Sequence, residues 1–255
     1  MVSIIQAIFL GVLQGLTEWL PVSSSGHLVI AQQFFSIDVP IFFDIMLHVG
    51  TAIVVIWFMR KEVLAMFKAL LRFDFKSKYG RWLLFLIIGS AITGSIGFFG
   101  HDFFASLFNQ IKYVAAALFV TGVFLLLIER FEKQGKLEIK HSALMGLAQG
   151  LAIIPGISRS GATVGSALIA GVNREEAARF SFILSVPAII GAGLFEYLSA
   201  DVAVSLTTPL IIGTLAAMIV GYLSLKLFLK IVLNKKLWMF GIYCICVSLM
   251  LLIIL

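Results

Sequence analysis

The sequence predicts an all-α polytopic membrane protein with an inverted-topology repeat: six crossing helices plus two re-entrant helical hairpins meeting near the midplane. Three observations predict it. Apolar runs long enough to cross a bilayer recur from end to end. Two further apolar stretches are each interrupted by a polar cluster beside a proline. The basic residues collect in alternate loops. Of 255 residues, 61% are hydrophobic and 13% charged, where a soluble domain carries about 25% charged residues. The runs are too continuous for the alternating strands of a barrel, and a backbone in lipid must satisfy its own hydrogen bonds, so the spans are helices. The net charge of +6 does not point to nucleic acid, because basic residues in a membrane protein mark cytoplasmic loops. Cys244 and Cys246 lie in the last apolar run, too few and too close for a metal site or a disulfide framework.

The elements follow in order. Residues 2–35 are apolar but hold Pro21 and the cluster PVSSSGH. Each half is short for a span, and such a cluster suits neither a solvated loop nor a helix interior. The stretch reads as a helix–break–helix hairpin, since irregular backbone is tolerated at membrane depth where it lines a polar cavity. MVSIIQAIFLG has no basic n-region, so no separate signal peptide is expected. A first span covers 40–60. KEVLAMFKALLRFDFKSKY at 61–79 is amphipathic and basic, and reads as a segment lying on the inner membrane surface, with an ordinary solvated loop as the alternative. Spans follow at 81–100 and 111–130, with His101 and Asp102 in an outer loop between them. Residues 141–170 form the second interrupted stretch, with Pro155 and PGISRSG. Asn173 is placed to cap the next helix, ahead of Glu175 and Glu176. The last spans are 176–199, 207–229 and 237–255, with Glu196 and Asp201 as solvated charges at outer ends. His141 sits at an inner helix entry with no assigned role.

Charge tests this topology. If the interrupted stretches do not cross, loops 60–81, 129–140, 171–179 and 226–236 share one side and hold 17 of the 19 basic residues. Lys112 lies opposite, and Arg159 is inside the second break. The lopsided split puts those loops in the cytoplasm and both termini outside.

A shift of 135 residues aligns Gly11, Gln14, Gly15, Leu16, Ser23, Ser25 and Gly26 with Gly146, Gln149, Gly150, Leu151, Ser158, Ser160 and Gly161. The reading is one membrane domain, 1–255, made of repeats 1–135 and 136–255. Each repeat has one hairpin and three crossing helices. Three is odd, so the second repeat is inverted and the two hairpins approach from opposite faces. Such folds place their binding site between the breaks.

Several residues there carry chemistry. Gln14 and Glu18 are four apart on one helix face, and a carboxylate in a membrane helix points to a functional site unless it snorkels to the interface. Ser23, Ser24 and Ser25 offer hydroxyls, with local turn or cap bonding as the alternative, and Gly26 allows a sharp bend. His27 can act as acid, base or nucleophile near neutral pH. Arg159 is the arginine expected at membrane depth and needs an anion. Glu18 can supply one, but a phosphate fits the guanidinium fork better. Ser158, Ser160, Gly161 and Thr163 surround it at a helix start, forming an anion cradle. Together these residues point to phosphoryl transfer or hydrolysis on a substrate with a long lipid tail. Asp44 and His48 either line the cavity mouth or sit at the interface.

QGLTEWLPVSSSGH at 14–27 and PGISRSGAT at 155–163 resemble the two signatures of the undecaprenyl-diphosphatase family, the bacitracin-resistance proteins. FFDIMLHVGT at 42–51 and FSFILSVPAIIGAG at 180–193 extend the resemblance along the chain. It implies hydrolysis of a polyprenyl diphosphate to the monophosphate carrier lipid of cell-envelope glycan synthesis. It implies Gln14 and Glu18 as an (E/Q)xxxE element, Ser24 and His27 as nucleophile and acid–base positions, and Arg159 as the diphosphate ligand. Ser23, Ser25, Gly26, Ser158, Ser160, Gly161 and Thr163 complete the expected substrate site. It also implies a divalent cation, magnesium or calcium, with Glu18 as its protein ligand. The expected setting is the plasma membrane, with the site facing outward and membrane lipid as neighbour; no nucleic acid is expected, and a homodimer is compatible. Attack by Ser24, by His27 or by water all stay open.

Two rivals follow different chemistry. Type 2 phosphatidic acid phosphatases need a histidine after the arginine; His27, His48, His101 and His141 all precede Arg159, and no Arg-Pro pair exists. A transporter or flippase of a phosphorylated lipid would share the fold and need Arg159, but not the Glu18–Ser24–His27 set.

Overall fold

The computed structural model describes residues 2–108, 110–131, 134–199 and 207–255. Two expectations, Lys133 among the basic residues and Asp201 as an outer charge, lie outside the described residues. The described residues form twelve helices, and the chain is a polytopic membrane protein.

The first interrupted stretch is α1 (Ile4–Trp19) and α2 (Ser24–Phe34). Ser3 and Gln6 cap the start of α1 reciprocally. Pro21 ends it: Leu20, the residue before proline, is held extended at ψ 144°. The first span is α3 (Ile41–Phe58), and α4 (Arg60–Leu71) follows directly. Helix α4 is shorter than the predicted amphipathic segment because Ser77 starts a new helix, its Oγ accepting from Gly80 N–H at 3.2 Å. That helix, α5 (Lys78–Phe99), therefore begins three residues ahead of the predicted 81. Leu64, Phe67, Leu70 and Leu71 of α4 stay exposed, as a surface-lying helix requires. His101 and Asp102 do not lie in a loop: they open a short helix, α6 (His101–Phe108). Next come α7 (Ile111–Ile128) and the second interrupted stretch, α8 (Ile139–Leu151) and α9 (Arg159–Ile169). Helix α9 starts and ends 135 positions after α2, since 24 maps to 159 and 34 to 169. Asn173 does cap α10 (Arg174–Ser199), with Oδ1 accepting from Glu176 N–H at 2.9 Å. The chain finishes with α11 (Thr208–Leu233) and α12 (Trp238–Ile254).

Helices α3, α5, α7, α10 and α11 are long and apolar enough to cross a membrane, whereas α12 has 17 residues. The hairpin arms dock on the long helices by exchange: α1 lies along α11, and α8 lies along α5. Both contacts are backbone to backbone. A side chain on Gly11 would run into the Gly213 carbonyl, and one on Gly146 would run into Gly89. Small residues give membrane helices this close approach, and Thr93 Oγ1 donates across it to the Gly146 carbonyl at 2.9 Å. Trp19, Phe180, Phe182 and Phe228 are fully buried; Phe182 meets Trp19 and Phe228 at 5.6 and 5.7 Å, and Phe180 meets Trp82 at 5.5 Å.

Candidate active site

Both breaks end in a serine that caps the following helix. Ser23 Oγ accepts from Gly26 N–H at 3.3 Å, and Ser158 Oγ accepts from Gly161 N–H at 3.1 Å. The tightest turns fall at different places. In the second break Gly156 takes φ 101°, but in the first the positive φ, 68°, belongs to Ser23. A non-glycine residue held in that region is strained, and such strain collects at functional sites.

The tips touch. Gly156 N–H donates to Ser23 Oγ at 3.1 Å, and Ser160 Oγ donates to the Leu20 carbonyl at 3.3 Å. Gly26 faces Gly156 so closely that a side chain there would press on its backbone. Flanking helices clamp each tip: Thr121 of α7 donates to the Gly156 carbonyl at 2.9 Å, and Cys244 Sγ of α12 lies 3.7 Å from the Pro21 carbonyl.

This contact assembles a charged cluster from four elements. Glu18 is its centre and is 6% exposed. Its Oε1 accepts from Arg159 Nη2 at 2.5 Å. Its Oε2 accepts from Ser24 Oγ at 2.6 Å and from Gln14 Nε2 at 2.8 Å. His48 Nδ1 lies 2.9 Å from the same oxygen and 2.7 Å from Gln14 Nε2. The Arg159 guanidinium also sits over the Trp19 ring, 5.0 Å from its centroid. Arg159 Nη1 and Gln14 Oε1 are buried and have no hydrogen-bond partner among the described residues. A buried unpaired guanidinium N–H is costly and calls for an acceptor.

The cluster thus joins Gln14, Glu18, Ser24 and Arg159 of the expected set and adds His48. Sequence spacing pairs His48 with Asp44, four residues away. In the structure Asp44 instead takes both carboxylate bonds from Gln32, at 2.9 and 2.8 Å. His27 stands apart from the carboxylate: its Nδ1 meets the Ser23 carbonyl at 2.8 Å, and its Nε2 meets the Tyr243 hydroxyl at 2.8 Å. Ser23, Gly26, Ser158, Ser160 and Gly161 form hydrogen bonds that build the tips. Ser25 Oγ meets Ser23 Oγ at 3.3 Å. Thr163 faces α10, where its Oγ1 is 2.6 Å from Ser181 Oγ.

A resident divalent cation needs about six oxygen ligands. Glu18 is a single carboxylate with both oxygens engaged. Among the described residues no cluster of three or more His, Cys, Asp or Glu side chains could hold an ion. The side chains do not fit a protein-held cation. Beside the second tip, an apolar cleft of about 490 Å³ runs between α7, α8 and α9 and reaches Ser158; Val120, Phe124, Leu144 and Ile157 line it.

Fold and site define a class: a helical membrane protein whose two broken hairpins bring a carboxylate, a hydroxyl and an arginine together. Comparison with known proteins identifies the particular family. The sequence profile of the family described as Bacitracin resistance protein BacA matches residues 7–250. A protein of Halothermothrix orenii named undecaprenyl-diphosphatase is 44% identical over 99% of this chain and 98% of its own. Proteins of the same name from Treponema denticola (94% and 93% covered) and Methanobrevibacter smithii (95% and 94%) are 41% and 39% identical. The chain belongs to the BacA family.

Proposed function

We propose that this chain is a membrane phosphatase that hydrolyses undecaprenyl or another polyprenyl diphosphate to the monophosphate and phosphate, recycling the carrier lipid for cell-envelope glycan synthesis. One observation carries the reading: a serine hydroxyl already bonded to a buried carboxylate, beside an arginine with a free buried N–H. The relatives' shared name supplies the substrate. The apolar cleft beside the second tip suits a prenyl tail.

In this reading Arg159 Nη1 takes an oxygen of the terminal phosphate and balances charge that grows in the transition state. Ser24 Oγ attacks the terminal phosphorus. Its proton passes to Glu18 Oε2, the O–P bond to serine forms, and the anhydride P–O bond breaks. Polyprenyl monophosphate leaves on the lipid side. Water then cleaves the phosphoserine, giving phosphate and restoring the hydroxyl. Ser24 is preferred to His27 as nucleophile because Ser24 has its base in contact; His27 serves the second step, taking a proton from the water that cleaves the phosphoserine. Any cation enters as a counter-ion on the diphosphate.

The two halves form an inverted repeat, 1–135 and 136–255, supported by the matched serine caps and by the exchanged pairing of α1 with α11 and α8 with α5. The site opens to the outer face of the plasma membrane, a reading supported by the charge split of the loops. The test is phosphate release from a C55 or shorter polyprenyl diphosphate by purified protein in detergent. Wild type releases phosphate, and Glu18→Ala with His27→Ala does not. No release by wild type would leave the transporter reading in its place.

A further inference from the structure

His27 comes from the first tip, but its ring is held partly by a residue 216 positions away. The Ser23 carbonyl can only accept, so His27 Nδ1, 2.8 Å from it, carries the proton. Nε2 is then a lone pair, and the Tyr243 hydroxyl, 2.8 Å away on α12, donates to it. The two rings lie nearly parallel, 10° apart, with centroids 5.7 Å apart. The arrangement is anchored on both sides. Ser23, held at φ 68°, turns its carbonyl to accept both the backbone N–H of His27, at 3.1 Å, and the ring. The next residue of α12, Cys244, contacts the Pro21 carbonyl of the same tip. The equivalent of His27 in the second tip is Ala162, 135 positions on. The tyrosine therefore serves the half that carries the proposed nucleophile.

We propose that Tyr243 is a positioning residue for the phosphatase reaction. The Ser23 carbonyl fixes His27 as the Nδ1–H tautomer, and the Tyr243 hydroxyl keeps the basic Nε2 in one orientation. A hydroxyl can donate to the neutral ring and accept from the protonated one, so a proton reaches Nε2 through the hydroxyl: Tyr243 passes its own proton to Nε2, takes one on its oxygen, and the contact re-forms in the opposite sense. The fused requirement of tautomer and direction is what acid–base work by an imidazole needs. This inference rests on the phosphatase reading above.

The test uses full-length protein with ¹⁵N-labelled histidine, which gives only four imidazoles to assign. Wild-type His27 shows a protonated Nδ1 and a hydrogen-bonded Nε2. In Tyr243→Phe, which keeps the ring stack, the Nε2 resonance moves toward that of an unbonded lone pair. In the same preparation kcat falls about tenfold with KM changed less than about twofold, the scale of a mispositioned acid–base group. The double variant His27→Ala/Tyr243→Phe is no slower than His27→Ala. An unmoved Nε2 resonance, a kcat within threefold of wild type, or multiplying losses in the double variant would each overturn the inference. Phosphate release absent from wild type overturns the phosphatase reading instead, while the resonance still reports on the Tyr243–His27 bond.

Discussion

Glu18 joins three functions in one side chain: it holds Ser24, balances Arg159 and receives Gln14 and His48. Two predictions belong to this scale. Arg159→Lys keeps the charge and loses the fork, so kcat/KM for a polyprenyl diphosphate falls about 100-fold, measured by phosphate release. Glu18→Ala strands a buried guanidinium. Breaking one side of such a pair costs about 3 kcal/mol, so the variant melts early in a detergent thermal shift, and adding Arg159→Met restores part of the loss. Residues such as Glu18 and Arg159 were legible from sequence because a charge in an apolar helix is expensive wherever it points. From sequence, His48 reads as lining the cavity mouth or sitting at the interface, but without these partners, and Tyr243 is not singled out. Their partners lie 34 and 216 positions away, and only packing brings them together. A weak signal did exist for Tyr243, since a phenol inside an apolar helix needs a hydrogen-bond partner.

At the scale of elements, the hairpins depend on arms that fit tightly against the long helices. Gly11 and Gly146 allow this in the two halves. Gly11→Val pushes α1 off Gly213, and overpacking of this kind costs about 1–3 kcal/mol. Because α1 carries Gln14 and Glu18, the same variant also loses activity. Thermal melting and phosphate release in parallel check it; a variant as stable and active as wild type contradicts the packing account. The breaks themselves were readable because proline, serine and glycine act through local geometry. The ends of α4 and the existence of α6 were not. The first depends on a local turn after Leu71 and the Ser77 cap, and α6, with 8 residues, is shorter than the window over which a helical period can be read.

For the whole molecule, most spans follow from hydropathy: the predicted 40–60, 111–130 and 176–199 differ from α3, α7 and α10 by two residues or fewer at each end, whereas 81–100 starts three residues after the start of α5 and 207–229 stops four residues short of the end of α11. The proposed orientation rests on the basic loops. In a Cys246→Ser background, an impermeant maleimide should label Lys112→Cys in intact cells. It should label Lys76→Cys only after the membrane is opened. The opposite pattern would reverse the proposed topology. The reaction itself is tested most directly by rapid quench with a polyprenyl diphosphate carrying ³²P in its terminal phosphate. The account predicts a transient covalent label on the peptide that contains Ser24, absent in Ser24→Ala. A label on His27, or phosphate release in wild type at full rate with no protein-bound label at any time, would contradict it.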